Sequence, residues 1–144
     1  MHGDNILLDT KTSTPVAKVS DFGMSKILKD FEKMSTRLTA IIGHRAACYP
    51  PELQDDPESY DMSIDIFMFG VVMLQIVHQL PYVKSPRLRR ELVSELSESH
   101  ALTKHIQHCV DLEKNKRPEA KGIHTELKKK FENLQRKDRI PHTR

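Results

Sequence analysis

The longest apolar stretch of the chain, residues 64–77, most constrains how it can fold. Two polar side chains, Asp65 and Gln75, interrupt it. A transmembrane helix needs about 20 apolar residues, so the stretch is too short to span a bilayer. Ser63 is placed to cap it by accepting a hydrogen bond from a first-turn amide. Because apolar residues occur on every face, we expect a central helix that is buried on all sides.

Three further segments carry apolar residues at helical spacing. The first begins with Ser85-Pro86, a cap residue followed by proline at the first helical position, where no amide hydrogen is needed. The three stripes are Leu88, Leu92, Val93 and Leu96; Leu102, Ile106, Cys109 and Val110; and Ile123, Leu127, Phe131 and Leu134. Together with the central helix, they predict about four helices that share one core.

The N-terminal part of the chain has a different pattern. Asn5-Ile6-Leu7-Leu8-Asp9 and Val16-Ala17-Lys18-Val19-Ser20 are short runs of apolar or β-branched residues around a polar stretch, which predicts a β-hairpin. Residues 24–61 show little periodicity, and such a long irregular stretch is usually functional or mobile. The sequence predicts one mainly α-helical domain, in which a short β-hairpin precedes about four helices.

Charge and cysteine content narrow the function classes. Lys and Arg outnumber Asp and Glu by three, and residues 126–144 hold seven basic and three acidic groups. Because the excess is confined to this end, we expect no nucleic-acid partner. No signal-like apolar run follows Met1, and Cys48 and Cys109 form no paired motif. We expect a cytoplasmic protein, or the cytoplasmic part of a longer one, without a transmembrane segment.

The residues with the clearest chemical meaning are Asp21-Phe22-Gly23, directly after the second predicted strand. A carboxylate there, followed by a glycine that lets the backbone turn, can present a hard oxygen ligand to Mg²⁺. Asn5 opens the partner strand, so its amide oxygen and the Asp21 carboxylate can converge on one ion. Taken alone, the tripeptide also fits a plain turn, and Asn5 fits a strand-start cap.

Five motifs in order resemble the C-terminal lobe of a eukaryotic protein kinase. Asn5-Ile6-Leu7-Leu8-Asp9 is similar to the end of the catalytic loop, and Asp21-Phe22-Gly23 to the magnesium motif. Pro50-Pro51-Glu52 stands where the family closes its activation segment. Ser63-Ile64-Asp65 opens a helix similar to the one that anchors the lobe, and Arg117-Pro118 stands where the family keeps an arginine.

The resemblance covers about residues 2–134 and is closest to the tyrosine-kinase-like group of serine/threonine kinases. It divides the chain into a partial kinase domain, residues 1–134, and a basic C-terminal tail, residues 135–144. The N-terminal lobe is absent, because the sequence contains no Gly-rich phosphate loop, no strand Lys and no partner Glu on a following helix.

The resemblance implies a site for ATP and Mg²⁺ and a protein substrate. Asn5 and Asp21 would hold the Mg²⁺ that bridges the ATP phosphates while the γ-phosphoryl group moves to a protein hydroxyl. Phe22 would pack under the site, and Gly23 would provide the turn.

The resemblance also implies structural roles for charged residues. Glu52 and Arg117 would form a buried ion pair. Asp65 would accept hydrogen bonds from the catalytic-loop backbone, although an acid in the first helical turn can also simply complement the helix dipole. Candidate phosphorylation sites, equally compatible with solvated loop hydroxyls, are Ser35, Thr36 and Thr39.

The chain departs from the family at the catalytic base. The family's base is an Asp with four residues between it and the metal-binding Asn, whereas here Asp4 directly precedes Asn5. Either four residues have been deleted after Asp4, or Asp4 is a solvated carboxylate and the true loop lies upstream. Asp4 is therefore a tentative catalytic residue, and we expect little activity from this chain alone. The alternative function is a pseudokinase-like docking module that binds a protein beside the helix at residues 85–96.

Two other features have ordinary explanations. His105 and His108 stand close to Cys109, but Cys109 belongs to the apolar stripe while both histidines fall off it, which argues against a zinc site. Lys128-Lys129-Lys130 fits the solvated face of an amphipathic last helix.

Overall fold

The computed structural model describes residues 3–11, 14–20, 46–55 and 61–138. There the chain is mainly helical and opens with a two-stranded antiparallel hairpin, which confirms the predicted fold class. The strands are β1 (Ile6–Asp9) and β2 (Val16–Val19). The helices are the single turn α1 (Glu52–Asp55) and the longer α2 (Met62–Val77), α3 (Pro86–Ser94), α4 (Thr103–Cys109) and α5 (Ala120–Asp138).

The hairpin is held together by its own ladder. β1 and β2 pair antiparallel, as predicted, with Ile6 opposite Val19. Lys18 Nζ donates to Asp9 Oδ2 at 2.7 Å across the strands, and this bond holds the pKa of Asp9 below its usual value. The large apolar side chains of the hairpin that remain exposed are Leu7, Leu8, Val16 and Val19.

Helix α2 begins earlier than the sequence predicts. Its N-cap is Asp61, whose Oδ1 accepts a hydrogen bond from the Ser63 amide at 2.8 Å. The prediction of Ser63 as the cap is therefore wrong, because the carboxylate two residues earlier already satisfies the first-turn amide. A negative charge at this end also interacts favourably with the helix dipole.

The middle of α2 is buried as predicted, but its C-terminal end is not. Phe67 and Leu74 are fully buried, whereas Ile76 is 65% exposed, so the expectation of burial on all sides is wrong at that position. Ile76 points away from the core, whereas Val77, the last residue of the helix, packs against it. Among the helices that the structure describes, none is both long and apolar enough to cross a bilayer.

Helix α3 has the predicted start. Ser85 Oγ accepts a hydrogen bond from the Leu88 amide at 3.1 Å, and Pro86 opens the helix. Leu92, within the helix, and Leu96, just after it, are both buried. The predicted apolar stripe of α3 therefore faces the core.

Helix α5 packs with its N-terminal half. Its predicted stripe consists of Ile123, Leu127, Phe131 and Leu134. The first two pack into or against the core, but the last two are 52% and 55% exposed, so the prediction is wrong for them. The reason is that α5 runs on past the loop at Ala101, whose carbonyl accepts a 2.8 Å bond from Lys130 Nζ. The helix continues to Asp138, across the predicted boundary at residue 134.

The core forms where α2 meets its neighbours. Its buried members are Ala47, Phe67, Val71, Met73, Leu74, Val83, Leu92, Leu96, Ile106, Cys109 and Ile123. At Gly70 the backbone of α2 approaches α4 so closely that an added Cβ would lie 2.7 Å from both Cys109 Cβ and Val110 Cγ1. Because interiors are close-packed, the contact requires the absence of a side chain at Gly70.

The turn that follows α2 contains a left-handed residue that is not glycine. Gln79 has a φ of 53°. Its amide donates to the Ile76 carbonyl at 3.2 Å, and the Leu80 amide donates to the Gln75 carbonyl at 2.9 Å. This is the Schellman pattern, in which glycine is usual because a Cβ at positive φ is strained.

We expect Gly70→Ala to lower the free energy of unfolding by about 1–3 kcal/mol, because the methyl group overpacks the contact between α2 and α4. Gly122→Ala is the matched control, since a Cβ at Gly122 meets no atom within 4 Å. That control should gain about 0.5–1 kcal/mol from helix propensity. Urea denaturation of both variants checks the packing, and an unchanged Gly70→Ala midpoint would contradict it.

We expect Gln79→Gly to raise the free energy of unfolding by about 1 kcal/mol, because glycine relieves the strain at positive φ. Gln135→Gly, at an exposed position within α5, should have the opposite effect and cost about 0.5–1 kcal/mol. Thermal denaturation measures both. A lower melting temperature for Gln79→Gly would show that the Gln79 side chain makes a stabilising contact.

Candidate active site

Asn5 ends the 3₁₀ turn Gly3–Asn5 and leads directly into β1. Its carbonyl accepts two hydrogen bonds from Ser20, one from the amide at 2.7 Å and one from the hydroxyl at 3.1 Å. Ser20 is the residue before Asp21. The hairpin therefore fixes the Asn5 backbone beside the point at which the chain enters Asp21-Phe22-Gly23.

Much of the predicted metal site lies outside the described residues, as do the candidate phosphorylation sites. The residues concerned are Asp21, Phe22, Gly23, Ser35, Thr36 and Thr39. Asn5 is half-buried, and its side-chain amide oxygen is the type of ligand atom that Mg²⁺ prefers. The four described stretches contain no group of three or more His, Cys, Asp or Glu side chains that could hold a metal ion. The Mg²⁺ site of Asn5 and Asp21 stays a prediction.

The turn that carries Asp4 is seated on α2. A Cβ at Gly3 would lie 3.7 Å from Gln75 Oε1, so the backbone of the turn approaches this buried side chain. Gln75 is itself fixed, because its Nε2 donates to the Pro81 carbonyl at 3.1 Å. The Asp4 side chain is exposed. Its role as a base stays a prediction.

Asp65 lies in the first turn of α2, and its side chain is exposed. The neighbouring Ile64 is fully buried, so Asp65 occupies a different face of the helix. An acid at this position interacts favourably with the helix dipole, which is the alternative that the sequence left open. The hydrogen bonds from Asp65 to the loop backbone stay a prediction.

The ion pair expected between Glu52 and Arg117 is present. Arg117 Nη1 lies 2.5 Å from Glu52 Oε1, and Nη2 lies 2.9 Å from Oε2. The Arg117 side chain is fully buried and that of Glu52 is 17% exposed. Two parallel bonds of this kind combine charge with a fixed geometry.

Arg117 joins two further parts of the lobe. Its Nε donates to the Asp111 carbonyl at 2.8 Å, and Nη1 also lies 3.3 Å from the Ser63 carbonyl at the start of α2. The guanidinium carbon lies 4.8 Å from the centre of the Phe67 ring. Arg117 thus connects the end of the activation segment, α2 and the turn after α4.

A second buried arginine, Arg89 on α3, was not predicted from the sequence. This residue is 5% exposed, and its guanidinium carbon lies 4.6 Å from the centre of the Phe67 ring. Burial lowers the pKa of Arg89 to about 10, so it is still charged at neutral pH. Its spacing of three and seven residues from Leu92 and Leu96 was the available signal, because it places all three on one helical face.

A cavity of about 460 Å³ lies away from Asn5, between α4, α5 and residues 98–101. His105 lines it and is 8% exposed, so the expectation that His105 lies off the buried face is wrong. Its Nε2 lies 3.0 Å from Glu126 Oε2, but neither ring nitrogen has a hydrogen bond of good geometry among the described residues. Among the described residues, Asn5 does not line this cavity.

Comparison with known proteins identifies a family for most of the chain. A family model described as protein tyrosine and serine/threonine kinase matches residues 1–127. No solved structure gives a significant match to the chain.

Three curated proteins illustrate the similarity. The chain is 41% identical over 73 residues to a probable serine/threonine-protein kinase, kinY, of Dictyostelium discoideum, which covers 51% of the chain and 12% of that protein. It is 38% identical over 104 residues to the probable serine/threonine-protein kinase CST of Arabidopsis thaliana, covering 67% and 23%. It is 33% identical over 79 residues to the G-type lectin S-receptor-like serine/threonine-protein kinase RKS1 of Arabidopsis thaliana, covering 54% and 8%. The chain thus spans less than a quarter of each of these relatives.

We expect Arg117→Ala to lower the free energy of unfolding by about 3–5 kcal/mol, because it leaves the Glu52 carboxylate without its buried partner. Lys116→Ala is the matched control: it removes an exposed ion pair with Glu113, which is worth about 0–1 kcal/mol. Denaturant unfolding of both variants measures the difference. A free energy of unfolding of Arg117→Ala equal to that of the wild type would refute the structural role of the pair.

Proposed function

Because the chain belongs to the protein tyrosine and serine/threonine kinase family, we propose that it forms the C-terminal-lobe part of an ATP- and Mg²⁺-dependent protein kinase. The reaction is transfer of the γ-phosphoryl group to a protein hydroxyl, which we propose to be serine or threonine because the relatives compared above are named serine/threonine kinases. The observation that carries the proposal is the double hydrogen bond from Ser20 to Asn5.

In this proposal Asn5, which directly precedes β1, and Asp21, which follows β2 in sequence, hold the metal ion. Bound Mg²⁺ would neutralise charge on the ATP phosphates. The Asn5 backbone is fixed before any ligand binds, because the Ser20 amide and hydroxyl both donate to its carbonyl. A ligand that is already held in place loses less conformational freedom on binding.

The protein substrate would dock on the activation segment, whose described end is anchored at α1. The Glu52–Arg117 pair holds that end to the body of the lobe. Such a fixed platform lets a substrate hydroxyl be positioned in line with the γ-phosphoryl group. The proposed location is the cytoplasmic side of a membrane or the cytoplasm, where ATP is available.

The nucleotide site would be completed by an N-terminal lobe. Protein kinases bind ATP beneath a Gly-rich loop with a strand Lys, and this sequence contains neither. Leu7 and Leu8 of the hairpin are 58% and 66% exposed, which leaves an apolar surface for further contacts. We therefore propose that robust turnover needs both lobes.

A pseudokinase-like docking module is the second candidate. The observation that favours it is the position of Asp4, which directly precedes Asn5 in the same turn instead of standing at the distance of the family's base. The protein partner would then bind beside α3. Both candidates use the same anchored lobe, but the second does not need a metal ion.

We expect Mg²⁺-dependent ATP binding to stabilise this chain and Asp21→Asn to abolish the effect, because the amide cannot supply the charge of the carboxylate ligand. The matched control is Asp9→Asn, which changes a half-buried acid of the same hairpin that pairs with Lys18. At a ligand concentration of about 100 times Kd, the stabilisation should be about 2.7 kcal/mol. Thermal shift and calorimetry with and without Mg²⁺ measure it.

The opposite result is equally informative. If circular dichroism shows a folded helical domain and neither the wild type nor Asp9→Asn responds to ATP with Mg²⁺, the isolated lobe is not a nucleotide site. Stabilisation that survives in Asp21→Asn would remove Asp21 from the metal site.

A further inference from the structure

Arg89 is bonded to the main chain on both sides of Cys48. Its Nη1 donates to the Ala47 carbonyl at 2.6 Å and lies 3.3 Å from the Tyr49 carbonyl. Ala47 and Cys48 belong to the 3₁₀ turn Ala46–Cys48, just before Pro50-Pro51-Glu52. One guanidinium nitrogen on α3 therefore fixes the backbone of residues 47–49.

Arg89 and Arg117 contact the same aromatic ring. Their guanidinium carbons lie 4.6 and 4.8 Å from the centre of the Phe67 ring, and Phe67 is fully buried in α2. Arg117 holds Glu52 and Arg89 holds residues 47–49, so the end of the activation segment is bonded at two adjacent places. The guanidinium groups that form these bonds both pack against the Phe67 ring.

The two arginines differ in how their charge is compensated. Arg117 has the Glu52 carboxylate, whereas in the described part of the chain no Asp or Glu forms an ion pair with Arg89. A buried charge without a carboxylate is often less stable than an apolar side chain of similar volume. In the described residues, the Arg89 guanidinium is hydrogen-bonded to the main-chain carbonyls of Ala47 and Tyr49.

We propose that Arg89 is a positioning residue that fastens residues 46–49 to α3 and so sets the conformation of the substrate-docking end of the activation segment. The fastening stands on the contacts themselves, and its consequence for substrate rests on the proposed function. A movement of α3 would reach this segment through these two hydrogen bonds.

The two cysteines of the chain provide the measurement. Cys48 lies in the fastened segment and is half-buried, whereas Cys109 is in the core and burial raises the pKa of its thiol to about 11. We would alkylate the native chain with iodoacetamide and follow each cysteine by mass spectrometry. Arg89→Met should raise the Cys48 rate by about tenfold and leave the Cys109 rate unchanged, because the loss of two hydrogen bonds from a charged donor releases the segment.

The loss of a nearby cation also makes a thiolate less favourable, which acts against this increase. Amide hydrogen exchange of residues 46–49 is therefore measured in parallel, because it does not depend on the thiol. Arg90→Met is the matched control, since Arg90 is the exposed neighbour on α3. Arg89→Lys, which keeps the charge but loses the planar fork, should give values between the wild type and Arg89→Met. It also provides the comparison if Arg89→Met does not fold.

Three results would overturn the proposal. Equal increases for Cys48 and Cys109 would show that Arg89 acts only on global stability. Unchanged exchange of residues 46–49 would show that the bonds do not hold the segment, and an equal effect of Arg90→Met would remove the specificity for Arg89. None of these measurements uses ATP, so their failure is distinct from failure of the Mg²⁺-dependent binding expected for a kinase.

Discussion

The ion pair between Arg117 and Glu52 joins positions that are 65 residues apart in the chain. Closing so long a loop costs conformational entropy, which must be offset by contacts that form only in the folded lobe. The pair contributes a bidentate geometry, and the Arg117 Nε bond to the Asp111 carbonyl fixes the orientation of the fork. The position of α1, and with it the end of the activation segment, depends on this interaction.

Helix α2 is the surface on which the other parts meet. Phe67 contacts both buried arginines, and Gln75 contacts the turn that contains Asn5. Gly70 lacks a side chain and so allows α4 to pack closely against α2. These residues lie along one helix, so the predicted catalytic turn and the activation-segment end are held by the same rigid element. A rigid element that supports both can keep a metal ligand and a docking surface in a constant relation.

Periodicity and cap chemistry predicted much of the fold, because they are local properties. The hairpin, the Ser85 cap and the buried part of α2 follow from residues that are close in sequence. The exposure of Phe131 depends on how far the rest of the lobe extends along α5, and the local spacing of apolar residues does not reveal that distance. The burial of Arg89 was not predicted, because a charged side chain suggests an exposed position even where its spacing places it on the apolar face of a helix. The Glu52–Arg117 pair was predicted through the family resemblance. Asp21 lies outside the described residues, so its part of the site is still a prediction.

The hairpin has a consequence for handling the protein. In the described sheet β1 and β2 have only each other as neighbours, so each has an outer edge with backbone groups that can pair with another chain. The exposed Leu7 and Leu8 add apolar surface to this ribbon, and the Lys18–Asp9 pair places charges on it. Self-association of the isolated chain would therefore begin at this ribbon, as edge-to-edge strand addition that increases with protein concentration.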